Sequence, residues 1–334
     1  MIVLGIETSC DDTSAAIVEN GVVRSNIISS QTIHNTYGGI VPELASREHV
    51  KGIGPIVQAA LAEAGHGIGA IDALAVTYGP GLAGSLLVGT HFAKGLALAH
   101  GKPLYPIHHI EAHLYSGYLE QADLVFPSIS LVVSGGHTSI FFIEDVVSYK
   151  VLGSTCDDAA GEAFDKVSKM LGLGYPGGPE IDARALHGNA AAFDFPRGLM
   201  HDGTYDFSFS GLKTSVRRAL DLLKSTGAEV PVDDICASVQ EAIVDVLVEK
   251  TLRAAKQYSV SAITISGGVS ANSRLRARMR ERAVAQDIAV VAPRIGYCVD
   301  NAAMIAHIAE LRIKHGVEPA SADFTISPKA LRTV

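Results

Sequence analysis

One local grammar occurs twice in this chain, and it limits the fold more than any single motif does. Residues 2–30 read as a strand (2–6), a turn rich in Ser, Thr, Cys and Asp, a second strand (15–18), a tight turn at Asn20-Gly21 and a third strand (22–28). Residues 128–152 repeat that order: a strand at 129–133, the turn Ser134-Gly135-Gly136-His137-Thr138, a strand at 139–143 and a third near 147–152. Such a three-strand unit leaves an apolar face that helices must cover, and each half duly continues into helix and strand. The first half supplies a helix at 56–64 and a strand at 73–77; the second supplies a helix at 237–258 and a strand at 262–266. Both later strands run into glycine turns, Gly79-Pro80-Gly81 and Gly267-Gly268.

This pattern predicts an α/β chain with a duplicated actin-like (ASKHA, ribonuclease-H-like) fold: two lobes, central mixed sheets and a nucleotide in the interlobe cleft. The expected division is residues 1–110 plus about 295–334 for the first lobe. The second takes 111–294, with a helical insertion at about 157–235. Glycine turns between strands expose successive backbone N–H groups and form concave anion sites, so Gly135-Gly136 and Gly267-Gly268 are the candidates for holding phosphate.

The 334 residues, 48% of them apolar, suffice for a large core. The four cysteines (10, 156, 236 and 298) are scattered without a CxxC, which suits reduced thiols in a cytosol. No secretory signal is expected, and the apolar region 74–99 is broken by Pro80, glycines and Lys94, so no bilayer span and a cytoplasmic location are expected. A net charge of −8 disfavours non-specific nucleic-acid binding; an RNA contact requires a local patch or a partner. Two basic patches stand out, Lys213 to Arg218 and Arg274 to Arg282.

In His108-His109-Ile110-Glu111-Ala112-His113, a helix brings His109 and His113 onto one face, as two ligands of one metal ion require. The zinc-protease pattern H-E-x-x-H is absent: Ile110 follows the first histidine, and Glu111 points about 200° away from it. His108 reads as outside the ligand set. The best third ligand is Asp300, read as the N-cap of an Ala-rich helix, with Cys298 as a weaker rival. Two imidazoles and one carboxylate leave positions open for substrate oxygens on iron or zinc.

Several motifs stand in an order that resembles the TsaD family of tRNA threonylcarbamoyl transferases, once described as O-sialoglycoprotein endopeptidases. They are Glu7-Thr8-Ser9-Cys10-Asp11-Asp12, Gly39-Ile40-Val41-Pro42-Glu43, His109-Ile110-Glu111-Ala112-His113, Ser134-Gly135-Gly136-His137-Thr138, Gly161-Glu162-Ala163-Phe164-Asp165-Lys166, Tyr175-Pro176-Gly177-Gly178-Pro179, Phe207-Ser208-Phe209-Ser210-Gly211-Leu212-Lys213-Thr214 and Gly267-Gly268-Val269-Ser270-Ala271-Asn272. They span essentially the whole chain, and the acidic start is of the bacterial type.

The resemblance implies transfer of threonylcarbamoyl from its adenylate to the exocyclic amine of the adenosine following the anticodon, in tRNAs reading ANN codons. It implies a metal on His109, His113 and Asp300, iron(II) favoured and zinc the alternative. It implies adenylate contacts at Ser134, Gly135, Gly136, His137, Thr138, Asp165, Gly178, Asp182 and Asn272. A TsaB-like actin-fold paralogue and a TsaE-like P-loop ATPase are the implied partners. The activated donor needs no covalent nucleophile. Asp11 is the candidate for orienting the attacking amine, and the loop at 38–42 for touching tRNA or a partner. A metal-dependent peptidase, an inert actin-like scaffold or ATPase, and a small-molecule kinase remain as rival classes.

Overall fold

The computed structural model describes residues 1–37, 39–120 and 124–329. Its strands are β1 (Ile2–Glu7), β2 (Asp12–Glu19), β3 (Val22–Ser30), β4 (Ala73–Gly79), β5 (Leu104–His108), β6 (Ser128–Val133), β7 (Thr138–Ile143), β8 (Tyr149–Ser154), β9 (Ala262–Ser266) and β10 (Ala289–Val291). Its helices are α1 (Pro42–Glu63), α2 (Ala83–His100), α3 (His109–Ser116), α4 (Ala160–Leu171), α5 (Gly177–Ala185), α6 (Ser210–Thr226), α7 (Val232–Gln257), α8 (Ser273–Val284) and α9 (Ala302–Lys314).

The strands form two five-stranded sheets, ordered β3-β2-β1-β4-β5 and β10-β9-β6-β7-β8. Reversing the second gives β8-β7-β6-β9-β10, element for element the first. In both, the opening strand pairs antiparallel with the next and parallel with the later one: β1 with β2 and β4, β6 with β7 and β9. The duplication is therefore one of topology. The antiparallel hairpins close through short turns, whereas the parallel partners require helical crossovers, which is why each half needs helix after its third strand.

The chain separates into two compact units, 1–124 with 299–334, and 125–298. The first unit runs past residue 110 and retains α3, because α3 packs on α9 and β5. The second carries α4, α5 and α6 between β8 and α7. Helix α1 is longer than its apolar pattern suggested: it begins at Pro42, a residue suited to a first helical position, and continues through Pro55. Gly38, the start of the expected loop at 38–42, lies outside the described residues. The core of the first unit gathers Leu4, Ile6, Ile17, Ile53, Leu74 and Val76; that of the second gathers Ile129, Leu131, Phe164, Val167, Phe207, Val239 and Ile263. Among the described residues no helix is long and apolar enough to cross a membrane, and the four cysteines are free thiols.

His307, on α9, is buried, and neither of its ring nitrogens is hydrogen-bonded among the described residues. Burial pushes its imidazole down from 6.5 to about 4, Glu310 opposing. The unfolded chain thus takes up this proton first, and the associated stability, present above about pH 6.5, is lost as pH falls towards 4. The loss approaches about 3 kcal/mol. His307→Leu is expected to remove that part of the acid sensitivity, read as the difference between variant and wild-type urea midpoints at pH 7 and pH 4.5. Parallel midpoints at both pH values exclude the effect.

Candidate functional site

Strand β5 ends at His108 and the chain turns directly into α3, so His109 and His113 occupy the first and second turns of a helix buried along its whole length. Their rings stand edge to face, with centroids 4.7 Å apart. Both Nε2 atoms point at one oxygen, Asp300 Oδ1, at 3.3 Å from His109 and 3.1 Å from His113. Ligand atoms held tetrahedrally at about 2.0–2.1 Å from one ion stand about 3.3 Å apart, so this spacing fits a single divalent cation. Among the described residues these three form the group of metal-ligating type, their donor atoms all within 4.8 Å of one another.

Asp300 does not cap its helix. Asn301 does, its side chain accepting from Met304 N at 3.1 Å, so α9 starts one residue later than the sequence pattern suggested. That displacement frees the Asp300 carboxylate to face the histidines. Cys298 is not part of this group; its sulfur lies 3.1 Å from the Arg276 guanidinium. His108 is buried, its ring edge-on to Tyr78, and is likewise outside the group.

The residue whose place at the site the sequence did not disclose is Glu7. Its buried carboxylate receives the Ser9 N–H and the Thr77 hydroxyl, each at 2.5 Å, and lies 3.0 Å from His109 Nδ1. A carboxylate there fixes the proton on Nδ1 and leaves Nε2 as the ligating atom. The legible signal was an acid ending an otherwise apolar strand, Ile2-Val3-Leu4-Gly5-Ile6-Glu7.

The electrostatics suit a cation. Burial opposes charge on His109, yet Asp300 and Glu7 hold its imidazole well above the ordinary range. Burial opposes ionisation of Asp300 too, but His109 and His113 hold its carboxyl well below the usual carboxylate value. Burial pushes His113 down, towards the neutral form a metal ligand needs. Loading a metal would thus displace the extra proton from His109. Glu7→Gln is expected to weaken metal affinity about 10- to 100-fold with the fold retained, measured by chelator competition. Unchanged affinity would make Glu7 a packing residue only.

Glu111 takes no part in the ligand group. It forms a two-point ion pair with Arg312 of α9, at 2.6 and 2.7 Å, clamping α3 to the helix that follows Asp300. Asp11 sits half-buried in the β1–β2 turn, its carbonyl accepting from Gln31 N.

The remaining candidates belong to the second unit, where hydrogen bonds connect them. The 134–138 turn closes through Ser134 N–H to the His137 carbonyl at 2.7 Å and His137 N–H to Ser134 Oγ at 3.2 Å, leaving Gly135 and Gly136 exposed. Thr138 is buried, its hydroxyl accepting the Ala160 N–H at the start of α4. A Cβ on Gly161 would lie 2.6 Å from the Ser134 carbonyl oxygen, so only glycine lets α4 begin this close to the turn. Asp165, on α4, accepts the Gly177 N–H at 2.7 Å, and beside it Gly178 faces open space. Asp182, on α5, accepts the Ser273 N–H and hydroxyl at 3.0 and 2.7 Å. Next to it Asn272 caps α8 through Oδ1 to Leu275 N and donates Nδ2 to Gln240. Asp182 and Asn272 are therefore anchors of the α5–α8 junction as well as candidates for ligand contact.

The model of the TsaD family, described as tRNA N6-adenosine threonylcarbamoyltransferase, matches residues 22–307. A protein of that name from Prosthecochloris aestuarii is 52% identical over 336 residues, covering 97% of this chain and 97% of its own. Another from Moorella thermoacetica is 52% identical over 305 residues, 91% of this chain and 89% of its own. Full-length HypF in its phosphate- and nucleotide-bound form superposes on 95% of this chain and 47% of its own with a TM-score of 0.61 at 14% identity, a likeness of actin-like fold alone. By model and by relatives, the chain belongs to the TsaD family of tRNA N6-adenosine threonylcarbamoyltransferases.

Proposed function

We propose that the protein transfers the threonylcarbamoyl group of threonylcarbamoyl-adenylate to the exocyclic amine of the adenosine following the anticodon, in tRNAs reading ANN codons. The reading rests chiefly on the convergence of His109, His113 and Asp300 on one point in a chain of this family. The amine nitrogen attacks the carbamoyl carbon, the bond from that carbon to the phosphate oxygen breaks, AMP departs, and the amine gives up a proton. Because the donor is a mixed anhydride, the task is positioning and charge stabilisation rather than covalent catalysis.

His109, His113 and Asp300 would hold one divalent ion, iron(II) favoured over zinc. Bound there, the ion supplies Lewis acidity towards donor oxygens. The open amides of Gly135 and Gly136, with Ser134, His137 and Thr138, receive the phosphate. Asp165 and Asp182 accept from ribose hydroxyls or the threonyl amide beside Gly178, and Asn272 holds the nucleoside. Asp11 orients the attacking amine. A TsaB-like paralogue and a TsaE-like ATPase complete the cytoplasmic assembly. The peptidase alternative loses its general base, because Glu111 is paired with Arg312.

The test is transfer of labelled threonylcarbamoyl from its adenylate to a tRNA transcript with the partner proteins present. Label is expected in the RNA, with one AMP released per group transferred, and none in a transcript carrying guanosine at the target position. Release of AMP without labelled RNA overturns the reading.

A further inference from the structure

The sequence offers two basic patches, and the structure treats them differently. On α8, Arg274 is paired with Glu241, Arg278 with Glu281 and Arg282 with Glu249, while Arg276 donates to the carbonyls of Ser270 and Pro293. That patch is largely neutralised within the protein. On α6, Lys213, Arg217 and Arg218 are exposed, and none has an acidic partner or a hydrogen bond among the described residues.

Helix α6 buries Leu212, Val216 and Leu220 and turns its other faces outwards. At 100° per residue, Lys213, Arg217 and Lys224 fall within about 40° of one another, a track of cations about 16 Å long. The adjoining face carries Gly211, Thr214, Ser215 and Arg218, which with Asp194, Phe195 and Arg197 line an open pocket of about 650 Å³, the Asp194 carboxylate lying 3.4 Å from the Arg197 guanidinium. The Thr214 and Ser215 hydroxyls make no hydrogen bond with the described residues, whereas Arg197 is already held by Asp245 at 2.9 Å. The helix is firmly seated: Asp157 accepts from the amides of Phe209 and Ser210 and from the hydroxyls of Ser208 and Ser210.

We propose that the outward face of α6, with the pocket beside it, is a docking surface for the sugar-phosphate backbone of tRNA. This rests on the proposed reaction, which needs a polyanion to approach a chain of net charge −8. Lysine and arginine on one side of a helix, one and two turns apart, suit the phosphates of a nucleic-acid backbone, and free hydroxyls over an open pocket suit ribose hydroxyls. An acidic protein partner would be drawn by the same charge, but it would leave the pocket and its hydroxyls without a role.

The test is direct binding of a full-length tRNA transcript to the full chain without donor, by fluorescence anisotropy over a range of salt. Lys213→Glu/Arg217→Glu/Arg218→Glu is expected to weaken binding at least about 30-fold and to flatten the plot of log affinity against log salt by about 2 units. Arg278→Glu/Arg280→Glu/Arg282→Glu carries the same change in net charge and is expected to alter affinity only a few-fold. Lys213→Gln/Arg217→Gln/Arg218→Gln, which introduces no repulsion, is expected to fall between wild type and the reversal. Circular dichroism reports the fold of each.

Equal losses from α6 and α8 reversals would reduce the effect to bulk charge and overturn the proposal, as would unchanged binding or a wild type without affinity for tRNA. Retained tRNA binding with loss of a protein partner would assign the surface to that partner instead. Binding that depends on α6 in a protein incapable of transfer would uphold the surface and sink the reaction.

Discussion

His109→Ala/His113→Ala is expected to lose its metal entirely and to lower threonylcarbamoyl transfer by at least ~10³-fold, the several kcal/mol of charge stabilisation that a bound ion supplies. Two of the three ligand residues disappear, and one carboxylate cannot retain a divalent ion against dialysis. The same change leaves Glu7 and Asp300 facing each other without the imidazole that lowers both their pKa values, so some stability is lost as well. Metal content by atomic emission, transfer and far-ultraviolet circular dichroism are therefore needed together. A folded, metal-free variant that still transfers at the wild-type rate would remove the metal from the reaction. tRNA binding through α6 should be unaffected, which separates loss of chemistry from loss of substrate.

What the sequence made legible, and what it hid, follows from the range of the interactions involved. Strand β9 and the two hairpin-led halves follow from local alternation and turn residues. The His109–His113 pair is four residues apart, a separation that helical geometry translates directly into proximity. Glu7 opens one of the family-like motifs, yet its role stayed hidden because its contact with His109 spans 102 residues and nothing local links the two. The Glu111–Arg312 clamp spans 201 residues and is invisible for the same reason. Asp300 was expected to cap its helix and does not: Asp300 and Asn301 both favour N-caps, and only the packed structure decides that Asn301 takes the cap. Charge patterning alone ranked the α8 arginines with those of α6, since the glutamates that pair with Arg274 and Arg282 lie on α7, 33 residues away.

Gly5→Ala is expected to be strongly damaging although it lies outside the metal ligands, because it strikes the contact that places Asp300. A Cβ at residue 5 would stand 2.3 Å from the Ala302 carbonyl oxygen and 2.8 Å from Ala306 N, backbone atoms in the first turns of α9. Neither can yield like a flexible side chain, so α9 must lift from β1. Its residues 302–306 are all fully buried, and the lift opens the core on one side of the sheet. The expected cost is roughly 3–5 kcal/mol, at the upper end for overpacking. Gly95→Ala is the control: in α2, a Cβ there meets nothing within 4 Å, and the change should stabilise by about 0.5–1 kcal/mol. Urea midpoints of the two variants should therefore move in opposite directions. Because Asp300 lies two residues before the displaced turn, metal affinity in Gly5→Ala should fall even where the protein remains folded. A midpoint and a metal affinity equal to wild type would mean that α9 is not seated on β1 as closely as the site requires.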